Sequence, residues 1–307
     1  MKLPPTCICF NLMIALLAAM LPLPSPGQVK ILDTNQGLFQ YRQKVDIDLR
    51  IDSVIRKNNI SIRDVSFSSC NPVHGRIRAY LISPVGASPC AGIVFFHWLG
   101  TPLGNRDEFL DEAISFAGRN VKSLLIQGYF PWMEEPVAGE KDRQQVIDQT
   151  IDLQRAVDIL YAQPMVDTSR IAFVGHDYGA MFGSILAGID HRIKAYVLIT
   201  AMGNFSDWSL KYWEITTDNH EAYRKALAPV DPLGYIGAAL AKLFFQFSED
   251  DMYISNDKAM EFYDAAREPK QIRWYKTGHE MRIPEAKNDR MNWLEHQLKL
   301  TSGVNNQ

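Results

Sequence analysis

The sequence predicts an α/β protein built on a mostly parallel, doubly wound sheet that is entered through an antiparallel hairpin. Three observations carry this. Ala91–Phe96, Val121–Ile126 and Ile171–Val174 are short unbroken apolar runs, which suit strands covered on both faces. Segments with helical spacing separate them, and strands that alternate with helices give parallel sheets with right-handed crossovers. Finally, 307 residues with 47% hydrophobic composition suffice for one large core in a single domain.

The elements follow in order. Residues 1–27 hold one lysine, an apolar stretch from Cys7 to Leu23 and then Pro24-Ser-Pro-Gly27. This is the pattern of a secretory signal peptide, with Ser25 and Gly27 as the small residues near the cleavage point. Pro4, Pro5, Pro22 and Pro24 leave an apolar core shorter than the ~20 residues a membrane span needs. The expectation is an exported protein, periplasmic or secreted, free of the membrane once cleaved and anchored to it if not. Residues 28–60 are polar and without a period, an N-terminal extension expected to wrap the outside; 61–300 form the domain and 301–307 a tail.

Val65–Cys70 and Ile77–Ile82 alternate around the turn residues Asn71-Pro-Val-His-Gly75, which gives the hairpin. Arg106–Arg119 places Phe109, Leu110, Ala113, Phe116 and Ala117 on one helical face. Gln127–Gly139 is a loop rich in aromatic and proline residues. Gln144–Tyr161 returns to helical spacing and Pro164 stops it. Ala195–Thr200, Leu243–Phe247 and Gln271–Tyr275 are further strands, and Met291–Leu300 a last helix. Between them, residues 201–242 are enough for a minimal cap only, with Asp218–Leu227 as one covering helix.

Several function classes are disfavoured. A net charge of −3 and a pI near 6.2 do not suggest nucleic acid. Gly100, Gly104 and Asn105 do not make a phosphate loop. Cys7 and Cys9 leave with the signal. Cys70 falls at the hairpin turn and Cys90 after its open end, roughly 25 Å apart at ~3.3 Å per residue, so both are expected as free thiols. No Cys/His spacing suggests a metal. His74, His191, His220 and His296 lie in turns or on polar faces and are expected to be solvated.

The informative stretch is Arg170-Ile-Ala-Phe-Val-Gly-His-Asp-Tyr-Gly-Ala-Met-Phe-Gly183. An apolar run, a glycine-flanked turn and small residues at Gly179, Gly183 and Ala187 read as strand, sharp turn and a helix packed closely on the sheet. That is the layout of a nucleophile elbow. In doubly wound sheets the chemistry collects at the carboxyl ends of the strands. Those ends carry His97 and Trp98, Tyr129, Asp177, the residues from Met202 to Asp207, Glu249 to Asp251, and His279. With nucleophile, acid and histidine in the order Asp177, Asp251, His279, the chain resembles the α/β-hydrolase superfamily over nearly its whole mature length. Phe247-Ser-Glu-Asp-Asp251 and Tyr275-Lys-Thr-Gly-His279 look like the acid and histidine loops of dienelactone-hydrolase-like members.

What the resemblance implies is a hydrolase with Asp177 as nucleophile, His279 as base and Asp251 as the acid that orients it. Asp250 competes for the last role, with Glu249 and Asp207 as further alternatives. His97-Trp98-Leu99-Gly100 sits where the superfamily builds its oxyanion hole, so amides of Trp98 or Leu99 together with Tyr178 are the implied donors. His97, Tyr129, Tyr212 and Trp213 are candidates to line the substrate pocket, with Trp208 beside them, and His176 is read as structural. Neither metal nor organic cofactor is called for, the partner is a small-molecule substrate, and the oligomeric state is left open.

An aspartate at the elbow changes the chemistry. A carboxylate attacking an acyl carbon gives a high-energy mixed anhydride, whereas attack at an sp3 carbon gives an ordinary ester that water can open. Haloalkane dehalogenases, haloacetate dehalogenases and epoxide hydrolases resemble this chain in that respect, although they carry a larger helical cap. Ester hydrolysis of the dienelactone type and a non-catalytic binding protein on the same fold are the competing readings.

Overall fold

The computed structural model describes residues 36–41, 47–86, 88–213 and 219–300. Among them one nine-stranded sheet runs through the molecule. Its strands are β1 (Arg50–Lys57), β2 (Ile60–Ser68), β3 (Arg76–Pro84), β4 (Cys90–Phe96), β5 (Val121–Ile126), β6 (Val166–His176), β7 (Ala195–Ile199), β8 (Lys242–Ser248) and β9 (Lys270–Tyr275). They lie in the order β1-β2-β3-β5-β4-β6-β7-β8-β9. The first three strands and the β3–β5 pair are antiparallel, and every pair from β5 through β4 to β9 is parallel. After β4 the chain steps to one side for β5 and crosses back to the other for β6. That reversal opens a crevice at the carboxyl ends of β4 and β6, where doubly wound sheets bind ligands.

Among the described residues seven α-helices cover the sheet: α1 (Leu110–Ala117), α2 (Gly139–Tyr161), α3 (Tyr178–Ile189), α4 (Phe205–Tyr212), α5 (His220–Leu227), α6 (Asn256–Ala265) and α7 (Pro284–Gln297). All seven residues of β4 are buried, and the alternation of side chains splits them between two cores. Ile93 and Phe95 pack with Phe109, Phe116, Met291 and Leu294, the side of α1 and α7. Val94 and Phe96 pack with Ile151, Val157, Phe182 and Ile185, the side of α2 and α3.

The hairpin forms, with Ile62 opposite Ile82 and Phe67 opposite Ile77, its first strand starting at Ile60 and ending at Ser68, and Cys70 and Cys90 are free thiols. Four expectations need correction. The segment before residue 61 contains β1, a full strand paired with β2, whose eight residues are all exposed and so show no alternation in sequence. Phe39 enters the core and meets Tyr235 edge-on at 5.5 Å, so this segment does not merely wrap the outside. The helix anticipated from Arg106 starts at Leu110, and the last helix starts earlier, with Pro284 in its first turn. His74 is not solvated. Its ring nitrogens face Glu134 and Asp148, each at 3.1 Å, and the ring stacks on Tyr129 at 4.1 Å. The covering helix exists as α5, while Asp218, the signal segment 1–27 and the tail 301–307 lie outside the described residues.

Candidate active site

β6 ends at His176 and α3 begins at Tyr178, so Asp177 makes the whole turn between them. Its backbone takes φ 54° and ψ −120°, a region that costs a non-glycine residue conformational energy and recurs at functional sites. The strain is held by pairing on both sides. The Asp177 N–H donates to the Ile199 carbonyl at 2.8 Å, and its carbonyl accepts from the Ala180 and Met181 N–H groups, each at 2.9 Å. The flanking glycine on the helix side is required by space: a Cβ on Gly179 would stand 2.2 Å from the Phe96 carbonyl oxygen.

The three residues expected to act together do meet. His279 Nδ1 lies 2.8 Å from Asp251 Oδ2, and Nε2 lies 3.6 Å from Asp177 Oδ1. All three side chains are nearly inaccessible, at 4%, 3% and 2% for His279, Asp251 and Asp177. Asp251 is fixed in turn, since its Oδ1 accepts from the Tyr253 and Ile254 N–H groups at 2.8 and 3.0 Å. That settles the choice of partner: Glu249 and Asp250 are exposed, and Asp207 faces Arg224 and Lys258. Burial disfavours the charged form of His279, but the carboxylates of Asp177 and Asp251 outweigh it and push its pKa up to about 9. Burial would raise Asp251 as well, and its bond to His279 instead holds it below its ordinary value.

The two amides offered as oxyanion donors have different fates. Leu99 N–H donates to Asp177 Oδ2 at 3.1 Å. Trp98 N–H is turned away and donates to Glu108 Oε2 at 2.7 Å, so of the pair only Leu99 serves the aspartate. Tyr178 opens α3, and its N–H is among the first helical amides, which have no intrahelical partner. His176 is structural as expected, its Nε2 3.0 Å from the His279 carbonyl and its Nδ1 2.5 Å from Glu108 Oε1. Glu108 is a participant that sequence reasoning missed, because nothing in its local pattern marks it apart from other acids near the start of a helix.

A cavity of about 390 Å³ opens over Asp177, walled by Trp98, Leu99, Tyr178, Trp208, Tyr212, Trp213, Tyr253 and His279. Tyr212 and Trp213 line it as anticipated. His97 and Tyr129 do not. His97 is buried and pushed down to about 3 by that burial, so its neutral ring donates from Nδ1 to the Trp98 carbonyl at 2.9 Å and accepts the Gly128 N–H at Nε2, 3.0 Å. Tyr129 is buried away from the cavity, its ring stacked on His74 and its hydroxyl 3.4 Å from Asp152. Tyr253, from the acid loop, is a wall residue not anticipated; it meets the His279 ring edge-on at 5.0 Å. Among the described residues no cluster of ligating side chains could hold a metal ion.

Comparison with known proteins bears on the fold. No family model matches the chain. The polyketide transferase af380 of Aspergillus fumigatus is 33% identical over 54 residues, 18% of each chain, so the likeness spans under a fifth of that protein. Solved structures match far more of the chain. An acetyl xylan esterase from Paenibacillus sp. R4 superposes with a TM-score of 0.70 at 18% identity, covering 89% of this chain and 95% of that one. Acetyl xylan esterase 1 from Thermoanaerobacterium sp. JW/SL YS485 gives 0.71 at 14% identity, over 90% and 94%. The alpha/beta hydrolase GrgF from Penicillium sp. sh18 gives 0.57 at 16%, over 77% and 99%. The chain has the α/β-hydrolase fold. Within this α/β-hydrolase frame, Asp177 stands between the strand and the helix that make the elbow, and Asp251 and His279 follow β8 and β9.

Proposed function

We propose that the protein is a hydrolase in which Asp177 attacks an sp3 carbon of a small substrate and water then opens the resulting aspartyl ester. The observation that carries this reading is the division of labour between the two carboxylate oxygens. Oδ2 occupies the Leu99 amide, and Oδ1 faces His279. In a serine esterase of this fold such an amide would receive the oxygen of the substrate's carbonyl. Here the nucleophile's own oxygen fills it, which suits an ester whose carbonyl is that of Asp177.

The steps balance as follows. Oδ1 forms a bond to the substrate carbon as the carbon–halogen or strained carbon–oxygen bond breaks, and the leaving group departs with that bond's electron pair. Asp177 thereby loses its charge. With one of its two flanking carboxylates neutralised, His279 falls from about 9 under the pressure of burial, gives its proton to solvent or to the alkoxide of an opened ring, and becomes a base. Nε2 takes a proton from water, whose oxygen adds to Cγ of Asp177, and the charge on Oδ2 is met by the Leu99 N–H. Collapse expels the alkoxide, which takes the proton from Nε2 and leaves as the alcohol. The new carboxyl then gives its proton to His279, restoring the carboxylate beside the protonated ring. The cavity wall of indole and phenol rings suits a compact, largely apolar substrate.

Hydrolysis of a carboxylic ester by water activated directly at His279 is the second reading, favoured by the two acetyl xylan esterases among the similar folds. The approach of His279 to both acids supports either enzyme over a binding protein. Export through residues 1–27 belongs to the same proposal. The test is intact-mass spectrometry of His279→Ala after exposure to haloacids, epoxides and aryl esters. An adduct of the substrate's alkyl fragment should accumulate on Asp177. If wild type turns over a substrate and the variant never carries its fragment, the aspartyl ester is wrong.

A further inference from the structure

We infer that Glu108 is a positioning residue for this site: through Trp98 on one side and His176 on the other, its single carboxylate sets the Leu99 amide, Asp177 and His279 relative to one another. The catalytic consequence rests on the function proposed above, but the geometry does not. Oε2 accepts the Trp98 N–H at 2.7 Å. The Trp98 carbonyl is gripped from the other side by His97 Nδ1 at 2.9 Å and Trp132 Nε1 at 2.8 Å. With both polar groups of Trp98 tied, the next amide, that of Leu99, is turned onto Asp177 Oδ2 at 3.1 Å.

Oε1 reaches His176 Nδ1 at 2.5 Å. His176 immediately precedes Asp177, and its Nε2 stands 3.0 Å from the His279 carbonyl. A carbonyl can only accept, so Nε2 carries a proton. The ring is clamped flat against Trp98, with centroids 5.2 Å apart and planes 6° apart. One carboxylate therefore spans residues 98, 176 and 279, which arrive from the ends of three different strands. Glu108 and His176 side chains are 12% and 2% exposed, so water does not readily replace either bond. Glu108 faces a neighbouring cavity beside α1 and α7 and does not line the one over Asp177, which separates its role from contact with a substrate held at Asp177.

The test compares the full-length protein with Glu108→Ala and Glu108→Gln by 15N NMR of the histidine rings. In Gln the carbonyl oxygen can accept the Trp98 N–H and the amide can donate to His176 Nδ1, leaving Nε2–H on the His279 carbonyl. Gln also removes the same charge as Ala, so a difference between the two reports position and not charge. In wild type the His279 ring should titrate near 9. In Glu108→Ala it should fall by about one pH unit or more towards the ordinary value, and kcat should drop about 100-fold with KM changed less than about threefold. Glu108→Gln should recover most of both losses. A Glu108→Ala protein whose His279 titration stays within about 0.3 of wild type would overturn the proposal, as would a Gln variant as damaged as Ala. The titration needs no substrate, so silence across a substrate panel would count against the reaction and leave this result standing.

Discussion

At the scale of single residues, the site is organised by one substitution of chemistry, a carboxylate where the fold commonly places a hydroxyl. Asp177 and His279 were legible in the sequence because glycines and strand ends bracket them. The unshared role of Leu99, the dismissal of His97 and the part played by Glu108 were not, since each depends on which way a peptide unit faces. Two predictions belong here. Asp177→Asn keeps the shape of the side chain and removes the carboxylate proposed as nucleophile, so turnover should fall by ~1000-fold or more, measured by product release at saturating substrate. The second concerns pH. His279 is protonated below about 9 in the free protein, and Asp177 does not need it neutral in order to attack. The kcat/KM for an alkyl substrate should therefore stay flat between about pH 6 and 8. Direct activation of water by free His279 would instead make it climb about tenfold per pH unit towards 9.

At the scale of elements, the helix after the elbow is held against the sheet by missing side chains. A methyl at Gly179 would meet the backbone oxygens of Phe96 and His97 at 2.2 and 2.6 Å, and neither can retreat without moving β4. Gly179→Ala should cost roughly 1–3 kcal/mol or more, as overpacking does, read as a lower midpoint in urea. Gly234→Ala, with nothing within 4 Å, should change it little. Buried strands were the easiest elements to read, because a run such as Ala91–Phe96 has no other use. β1 was invisible for the opposite reason, since with all eight residues exposed neither face is selected.

For the molecule as a whole, three buried groups give its stability a common pH dependence. Burial pushes Asp152 up to about 6 and Asp231 up to about 7, while the paired carboxylates push His279 up to about 9. Each is raised above its unfolded value, so these three groups bind more protons in the native chain and their contribution to stability falls as pH rises. His97, pushed down to about 3, works the other way below about 6.5. Above that value the raised groups decide, and stability falls from about pH 6.5 to 9. For His279 alone the rise from 6.5 to about 9 corresponds to on the order of 3 kcal/mol, fully present below about 6.5 and lost through 9. The thermal midpoint should be higher near pH 5.5 than near pH 9, and His279→Gln should flatten the upper part of that slope, as read by scanning calorimetry across the range. The fold class could be read from alternating strands and helices, but the choice between alkyl and acyl chemistry could not. The proposal of alkyl chemistry rests on which oxygen fills the Leu99 amide, which a sequence does not show.

The most direct test of that choice is a single turnover in H2(18)O with protein in excess over substrate, followed by peptide mass analysis. An aspartyl ester opened by water at Cγ leaves one heavy oxygen in Asp177, and the alcohol released keeps the light oxygen it took from the carboxylate. Heavy oxygen found in the product, with Asp177 unlabelled, would contradict nucleophilic attack by the aspartate.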